Sequence, residues 1–483
     1  MRNKRIQLIG GIVLLAILIG LTYQASTKTG LFYPKPNFII ILTDDLDYTL
    51  MPFMPNTNKL IGDQGANFIN YFTPTPLCCP SRASTLRGQY AHNTQILANT
   101  PGFRGFYKQG MEAETLAVWL NKAGYNTSLV GKYLNGYPVP AGRTYIPPGW
   151  ADWHSFIFKD DSEGFYFNYT LNENGTLKQY GNDPEDYSTD VFKNIGFNFI
   201  NASHKQGKPF FLYLALYAPH GPSDPAPRHA NMFDGLVFPK KPSFAEADLS
   251  DKPSTTYAAA HSGDEFDAYD ADALFRKHAQ SVQAVDEMIP QLIDLLKQNS
   301  QLDNTYIIFT SDNGLHMGEH GLPAGKGFPY EEDIHVPFLI RGPGIAPGTK
   351  IPQFAANLDI APTLVDLAQA RAADFIDGRS LVPLIHPQPG QNIQWRNSLL
   401  IEQGYPDNPG AALTFHGIRT DNFVYIEYAD GELEYYDLIN DPYELNNLAS
   451  KLDQATLAKL HVRVDQLKNC QAQACRSAES ALP

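Results

Sequence analysis

Cysteine is scarce in this chain of 483 residues: four occur, Cys78, Cys79, Cys470 and Cys475. So few exclude a scaffold stapled by many disulfides, and with no second pair or histidine cluster beside them they make a poor zinc site. Cys470 and Cys475 lie close enough for one small local disulfide in an oxidising compartment, or are two free surface thiols. Positive charge is also in deficit. Lys and Arg number 37 against 51 Asp and Glu, a formal net charge of −14, which argues against general electrostatic capture of nucleic acid or other polyanions. An anionic substrate must then be held by a local cationic pocket. Repeats and low-complexity tracts are absent, so the length allows two or three average domains or one large α/β core with an appended subdomain.

Long apolar runs are missing except near the start, where Arg2, Lys4 and Arg5 precede Leu8 to Leu21 and no further charge appears until Lys28. Residues 1–30 thus have the layout of a signal peptide or an N-terminal membrane anchor, with possible membrane attachment through residues 8–21. Both place the bulk of the chain outside the cytoplasm, in an extracellular, periplasmic or lumenal compartment.

Three strongly apolar, β-rich runs end abruptly in polar residues: Phe38 to Thr43 before Asp44-Asp45, Phe210 to Tyr217 before His220, and Tyr306 to Thr310 before Asp312-Asn313. Runs this apolar predict strands covered on both faces. Between them, Thr115 to Ala123 and His278 to Gln298 have helical periodicity, the first stopping at Gly124. This alternation predicts a doubly wound α/β fold, whose ligands bind beyond the carboxyl ends of the strands. Pro222 to Ala273 lacks periodicity and is expected to be a long surface excursion near the site mouth. After about Pro389 the pattern changes to short strands at Phe415 to Arg419, Phe423 to Tyr428 and Glu434 to Leu438, with a turn at Asp430-Gly431 and a closing helix from about Gln454 to Lys468. The expected division is a catalytic α/β domain over 36–388 and a small C-terminal antiparallel subdomain over 389–483.

Asp44, Asp45, Asp312 and Asn313 offer four oxygen donors without Cys or His, which suits a hard cation, Ca²⁺ or Mg²⁺; two distant loops favour the looser geometry of Ca²⁺. Taken alone, an Asp-Asp pair is usually a solvated turn or a helix cap. Cys78-Cys79-Pro80-Ser81-Arg82, with Leu86 and Gly88, spells Cys-x-Pro-Ser-Arg-x-x-x-Leu-x-Gly. Pro80 fits the first turn of a helix, so Cys78 is expected at a helix N-terminus, where free N–H groups and the dipole favour an anion. Arg82, one turn on, points to the same face.

That string resembles the signature of the formylglycine-dependent sulfatases, with Arg87 where the family has Thr. The strand-Asp-Asp and Ser311-Asp312-Asn313-Gly314 segments match the family's metal loops in the same order, and the resemblance runs from about Pro36 to Ala449. It implies an alkaline-phosphatase-like mixed sheet flanked by helices. It also implies a Cys78 oxidised to formylglycine by a generating enzyme of the host, so that its hydrate can attack sulfur and later expel the sulfate. Cys78 would then join the metal ligands, with the aldehyde hydrate anchored by Arg82.

Gly124-Tyr125-x-Thr127-x-x-Val130-Gly131-Lys132-Tyr133 is a second family-like string, which implies that Lys132 binds the nucleophile or the sulfate. Many relatives carry His two residues later, as the base that releases sulfate. This chain has Leu134, and Asn135 nearby is expected to hold a water or hydroxyl in its place. Gly131 to Asn135 and Tyr145-Ile146-Pro147-Pro148-Gly149-Trp150-x-x-Trp153 resemble the N-acetylglucosamine-6-sulfatase branch, which includes the heparan endosulfatases. Trp150 is then a wall for a sugar, or a core aromatic. His220 and Lys326 match the family's proton donors to the leaving group, while His316 and His320 are candidate substrate contacts. The implied activity is removal of the 6-O-sulfate of glucosamine or N-acetylglucosamine from a sulfated glycan. The competing classes are an arylsulfatase, a phosphonate or phosphate ester hydrolase, and a glycan-binding protein whose Cys78 is never converted.

Overall fold

The computed structural model describes residues 35–157, 164–262, 271–388, 390, 392–404 and 413–481. The expected signal or anchor in residues 1–30 lies outside them. Residues 36–483 form one compact unit; of the other, residues 1–35, only Lys35 is described. No helix among the described residues is long and apolar enough to cross a membrane.

A ten-stranded mixed sheet forms the centre. Its middle holds Thr305–Ser311, Asn37–Asp44, Phe210–Pro219 and Asn126–Gly131 side by side, all parallel. Phe338–Arg341 runs antiparallel to Thr305–Ser311, and Asp152–Ile157 continues the other flank in parallel before two short antiparallel strands close it. The apolar runs follow from burial on both faces. Phe38, Ile40 and Leu42 pack into one core layer and Ile39 and Ile41 into the other, because successive side chains in a strand alternate faces. Each such side chain, fully buried, is worth about 1.5–3 kcal/mol relative to exposure.

Helices Cys78–Arg87, Leu116–Lys122 and Ile360–Leu367 cover the first layer, and Ser188–Lys205 and Ala271–Gln298 the second. The last of these begins seven residues before the expected His278. Of the excursion expected over 222–273, residues 222–253 are largely irregular, the short helix Ser254–Ala260 interrupts it, residues 263–270 lie outside the described ones, and helix Ala271–Gln298 begins before its expected end. The C-terminal sheet has four strands, not three: Ser398–Gln403 precedes the expected ones and pairs antiparallel with Phe415–Thr420. Its buried residues and those of helix Gln454–Lys468 share a core with Phe72, Tyr90, Phe328 and Tyr330. Cys470 and Cys475 form the expected disulfide.

Candidate functional site

Each of the four central parallel strands delivers a polar residue at its carboxyl end. Asp44 and Asp45 end the first, Lys132 follows Gly131, His220 follows Pro219, and Asp312 follows Ser311. The strands are neighbours, so these side chains meet. Gly131 is needed for the close approach: its φ is 114°, and a Cβ there would lie 1.9 Å from the Ala215 carbonyl oxygen. The adjacent Lys132 N–H donates to that same oxygen at 2.9 Å.

Cys78 is the first residue of helix Cys78–Arg87, as its motif predicts, and is 1% exposed. The helix aims its positive end at the carboxylates, while the Cys79 N–H donates to Asn99 Oδ1 at 2.9 Å. The Cys78 Sγ lies 3.6 Å from Asp44 Oδ1 and 3.0 Å from Lys326 Nζ. Arg82, one turn on, donates from Nε to Asp312 Oδ2 at 2.7 Å, from Nη2 to Asp44 Oδ2 at 3.1 Å, and from Nη1 to the Lys132 carbonyl at 2.8 Å. Lys132 also pairs with Asp44, and Lys326 with Asp45.

Ligand atoms of Asp44, Asp45, Cys78 and His220 all lie within 4.8 Å of one another. Asp312 Oδ1 accepts from the Asp45 N–H at 3.2 Å, and Asn313 Nδ2 donates to Asp45 Oδ1 at 2.6 Å. Asn313 Oδ1 is buried and has no hydrogen-bond partner. Three carboxylates and an unsatisfied amide oxygen fit a hard divalent cation. Burial alone would raise the Asp44 pKa, but Lys132 and Arg82 outweigh it and hold the group below the usual range. Asp45 is lowered likewise, with Lys326 and His220 overcoming burial. The lysines respond in kind: burial opposes their charge, yet Asp44 raises Lys132 and Asp45 holds Lys326 well above the usual value. Burial pushes the Cys78 thiol up to about 11 despite both lysines.

His220 donates from Nδ1 to the Gly221 carbonyl at 2.8 Å, which turns Nε2 toward Asp45 Oδ2 at 3.6 Å. Leu134 is 1% exposed, a core side chain where the relatives' histidine would be. Asn135, half-buried beside it, has an unpartnered buried Oδ1.

Three of the candidate substrate contacts are buried side chains. Trp150 is a buried aromatic packed on Phe211 at 5.7 Å and on Trp153 at 6.0 Å, so its ring is no open wall. His316 is buried with Nδ1 on Asp333 Oδ1 at 2.8 Å, and its main chain bridges to Gly325, so it shapes the Lys326 loop from inside. His320 is buried too, with Nδ1 on Glu246 Oε2 at 2.8 Å. Each of these histidines gives its Nδ1 to an internal carboxylate, Asp333 for His316 and Glu246 for His320.

Supporting residues surround this cluster, and of these Asn357, Tyr217 and His278 have no local sequence signal, whereas Ser81 belongs to the cysteine motif. Ser81 Oγ donates to the Asp312 carbonyl and accepts from Asn357 Nδ2 at 2.8 Å, which locks the helix to the Asp312 loop. Tyr217 lies under Lys132, 5.5 Å from Nζ to the ring centre, and packs on His220 at 4.7 Å. Buried His278 shares an electrostatic field with Asp45 and His220; burial drops its pKa to about 4. It lies inside helix Ala271–Gln298, whose apolar periodicity gives it no signal of its own.

An open pocket of about 470 Å³ sits beside His220, lined by Phe165, Tyr166, Asn168, Asn182, Gly221 and Asp224 among others. A larger one of about 680 Å³, with Asp152, His154 and Lys178 in its wall, reaches Asn126 at the amino end of its strand, away from this chemistry.

Residues 36–370 match the family model described as Sulfatase, and residues 318–470 the one described as N-sulphoglucosamine sulphohydrolase, C-terminal. An extracellular sulfatase Sulf-1 homolog of Caenorhabditis elegans is 38% identical over 76% of this chain and 52% of its own length. The chain thus spans about half of that relative. The N-acetylglucosamine-6-sulfatase of Capra hircus is 34% identical over 92% of this chain and 85% of its own. Among solved structures, one in complex with its substrate D-glucosamine-2-N,6-O-disulfate is similar with a TM-score of 0.71 and 26% identity, covering 90% of this chain and 97% of that one.

Proposed function

The chain belongs to the sulfatase family, and on that premise we propose that it is a sulfuric ester hydrolase that removes the 6-O-sulfate of glucosamine or N-acetylglucosamine from a glycan. The observation that carries this reading is the meeting of Cys78, at its helix N-terminus, with Asp44, Asp45, Asp312 and Lys132 at the ends of adjacent strands and with Lys326 from the loop that follows Asp312. Formylglycine at residue 78, made by a generating enzyme, supplies the nucleophilic oxygen, and a divalent cation, Ca²⁺ with Mg²⁺ as the alternative, supplies polarisation of the sulfate. Asp44, Asp45, Asp312 and Asn313 would hold the cation.

The remaining roles follow from charge and hydrogen bonding. Arg82 is committed to Asp44 and Asp312, so it fixes the carboxylates and the nucleophile's surroundings. Lys132 and Lys326 stay ammonium ions at neutral pH because their carboxylate partners raise their pKa values. They neutralise the sulfate and act as charges and proton donors, not bases. His220 keeps its Nδ1–H on the Gly221 carbonyl, so in its imidazolium form the second proton, on Nε2, is the one given to the departing sugar oxygen, leaving a neutral imidazole. The pocket beside it mixes aromatic rings, amides and the Asp224 carboxylate, which suits a sugar ring with hydroxyl donors.

The substrate reading is supported by the named activity of the goat relative and by the ligand in the structural neighbour. A net charge of −14 favours gripping one terminal residue over sliding along a polyanion. Residues 36–388 would be the catalytic domain and 389–483 the subdomain that buttresses it. Export is supported by the Cys470–Cys475 disulfide and by relatives named as extracellular.

The test is desulfation of defined oligosaccharides that differ only in sulfate position, with protein whose residue 78 has been verified by peptide mass. Release from the 6-O-sulfated isomer is expected. Reaction with another isomer alone would overturn the substrate, and faster cleavage of the matching phosphate ester would overturn the reaction class.

A further inference from the structure

Behind the loop that carries Lys326 lies a second group of metal-ligating side chains. One ring nitrogen of His320 and one carboxylate oxygen each of Glu332 and Glu444 lie within 4.8 Å of one another, all three residues buried. His320 Nδ1 is taken by Glu246 Oε2 at 2.8 Å. A carboxylate accepts the Nδ1 proton, so the lone pair sits on Nε2, and that atom is buried without a partner. Glu444 Oε1 is buried and unpartnered as well, while its Oε2 accepts from the Glu331 N–H at 3.0 Å. Two unsatisfied ligand atoms in a residue group this buried need an explanation.

Charge points the same way. Lys241 is shared between Glu332 at 2.9 Å and Glu319 at 3.8 Å, Lys252 between Glu246 at 3.0 Å and Asp251 at 3.2 Å. Arg419 is engaged by both oxygens of Glu331. No ion pair is recorded for Glu444 among the described residues. A cation there would meet an imidazole with its outer nitrogen already fixed by a carboxylate, the arrangement that orients histidine toward metals.

We propose that His320, Glu332 and Glu444 bind a divalent transition-metal ion, Zn²⁺ by their one-imidazole, two-carboxylate donor set, at a structural site separate from the oxygen-rich one at Asp44 and Asp312. Glu246 is the positioning residue that sets the His320 tautomer. The ion ties Glu444, beyond the four-stranded sheet, to the segment 320–332 that frames Lys326. It therefore couples the C-terminal segment to the placement of a catalytic lysine.

The experiment uses the full chain, stripped with chelator and returned to excess Ca²⁺, which fills the oxygen-rich site. Zinc is then titrated by calorimetry, with content checked by mass spectrometry after desalting. One equivalent of Zn²⁺ and a higher melting temperature are expected in the wild type. Both should be lost in Glu444→Gln and in His320→Gln, and Glu246→Gln should weaken binding by about 10–100-fold. No zinc uptake by the wild type, or equal uptake by the folded variants, overturns the proposal. If neither variant folds, zinc-edge X-ray absorption on the wild type decides: an imidazole in the shell supports the site, and a shell of oxygens alone overturns it.

Discussion

At residue 78 the unmodified thiol is a poor nucleophile near neutral pH, since burial pushes its pKa up to about 11 even with two lysines nearby. Cys78→Ala is expected to fold, because the side chain is small and buried, yet to lose about 10³-fold or more in turnover, as removal of a nucleophile does. Circular dichroism and sulfate release check the two halves, and retention of near-normal turnover would remove Cys78 from the reaction. Lys326→Met should lower kcat by roughly 10²–10³-fold, the scale of losing one preorganised charge at a reacting group. Steady-state kinetics should find the larger part of that loss in kcat rather than KM. Both residues stood out in the sequence because short motifs carry them. His278, Tyr217 and Asn357 did not, since each reaches the site from a helix, a strand or a loop with no pattern of its own.

Among the elements, the central strands are where sequence and structure agree most closely. Two-sided burial writes continuous apolar runs, and the polar residue that ends each run marks its carboxyl edge. Gly131 shows how tight that edge is. Gly131→Ala places a Cβ 1.9 Å from the Ala215 carbonyl at a φ of 114°, so a loss of roughly 2–5 kcal/mol is expected. Gly207→Ala, at φ 63° with nothing within 4 Å, isolates the backbone cost and should lose about 1 kcal/mol. Equal losses in urea melts would show that strain alone, without the clash, accounts for Gly131. Strand Ser398–Gln403 escaped the sequence reading because it opens a sheet whose partners lie beyond residues 405–412, so no short hairpin signal announces it.

For the molecule as a whole, buried polar ties join distant stretches. His92 reaches Glu402 at 3.0 Å and the Cys470 carbonyl at 3.0 Å. Burial would lower its pKa, but Glu402 overrides this and raises it from 6.5 to about 9. A folded pKa above the unfolded one means the tie stabilises fully below about pH 6.5 and fades as pH rises through 9. Wild type should therefore exceed His92→Gln by on the order of 3 kcal/mol at pH 6, with the gap closing by pH 10 in urea melts; a gap that does not change with pH would refute the linkage. What the sequence alone determined was the α/β alternation, the helix opening at Cys78 and the acidic and lysine residues that the fold brings together, because periodicity and short motifs are local properties of a chain. The tertiary structure decided that Trp150, His316 and His320 are interior, that Leu134 is core, and which carboxylate each cation faces. Burial and charge pairing depend on neighbours hundreds of residues apart, and no local pattern encodes them.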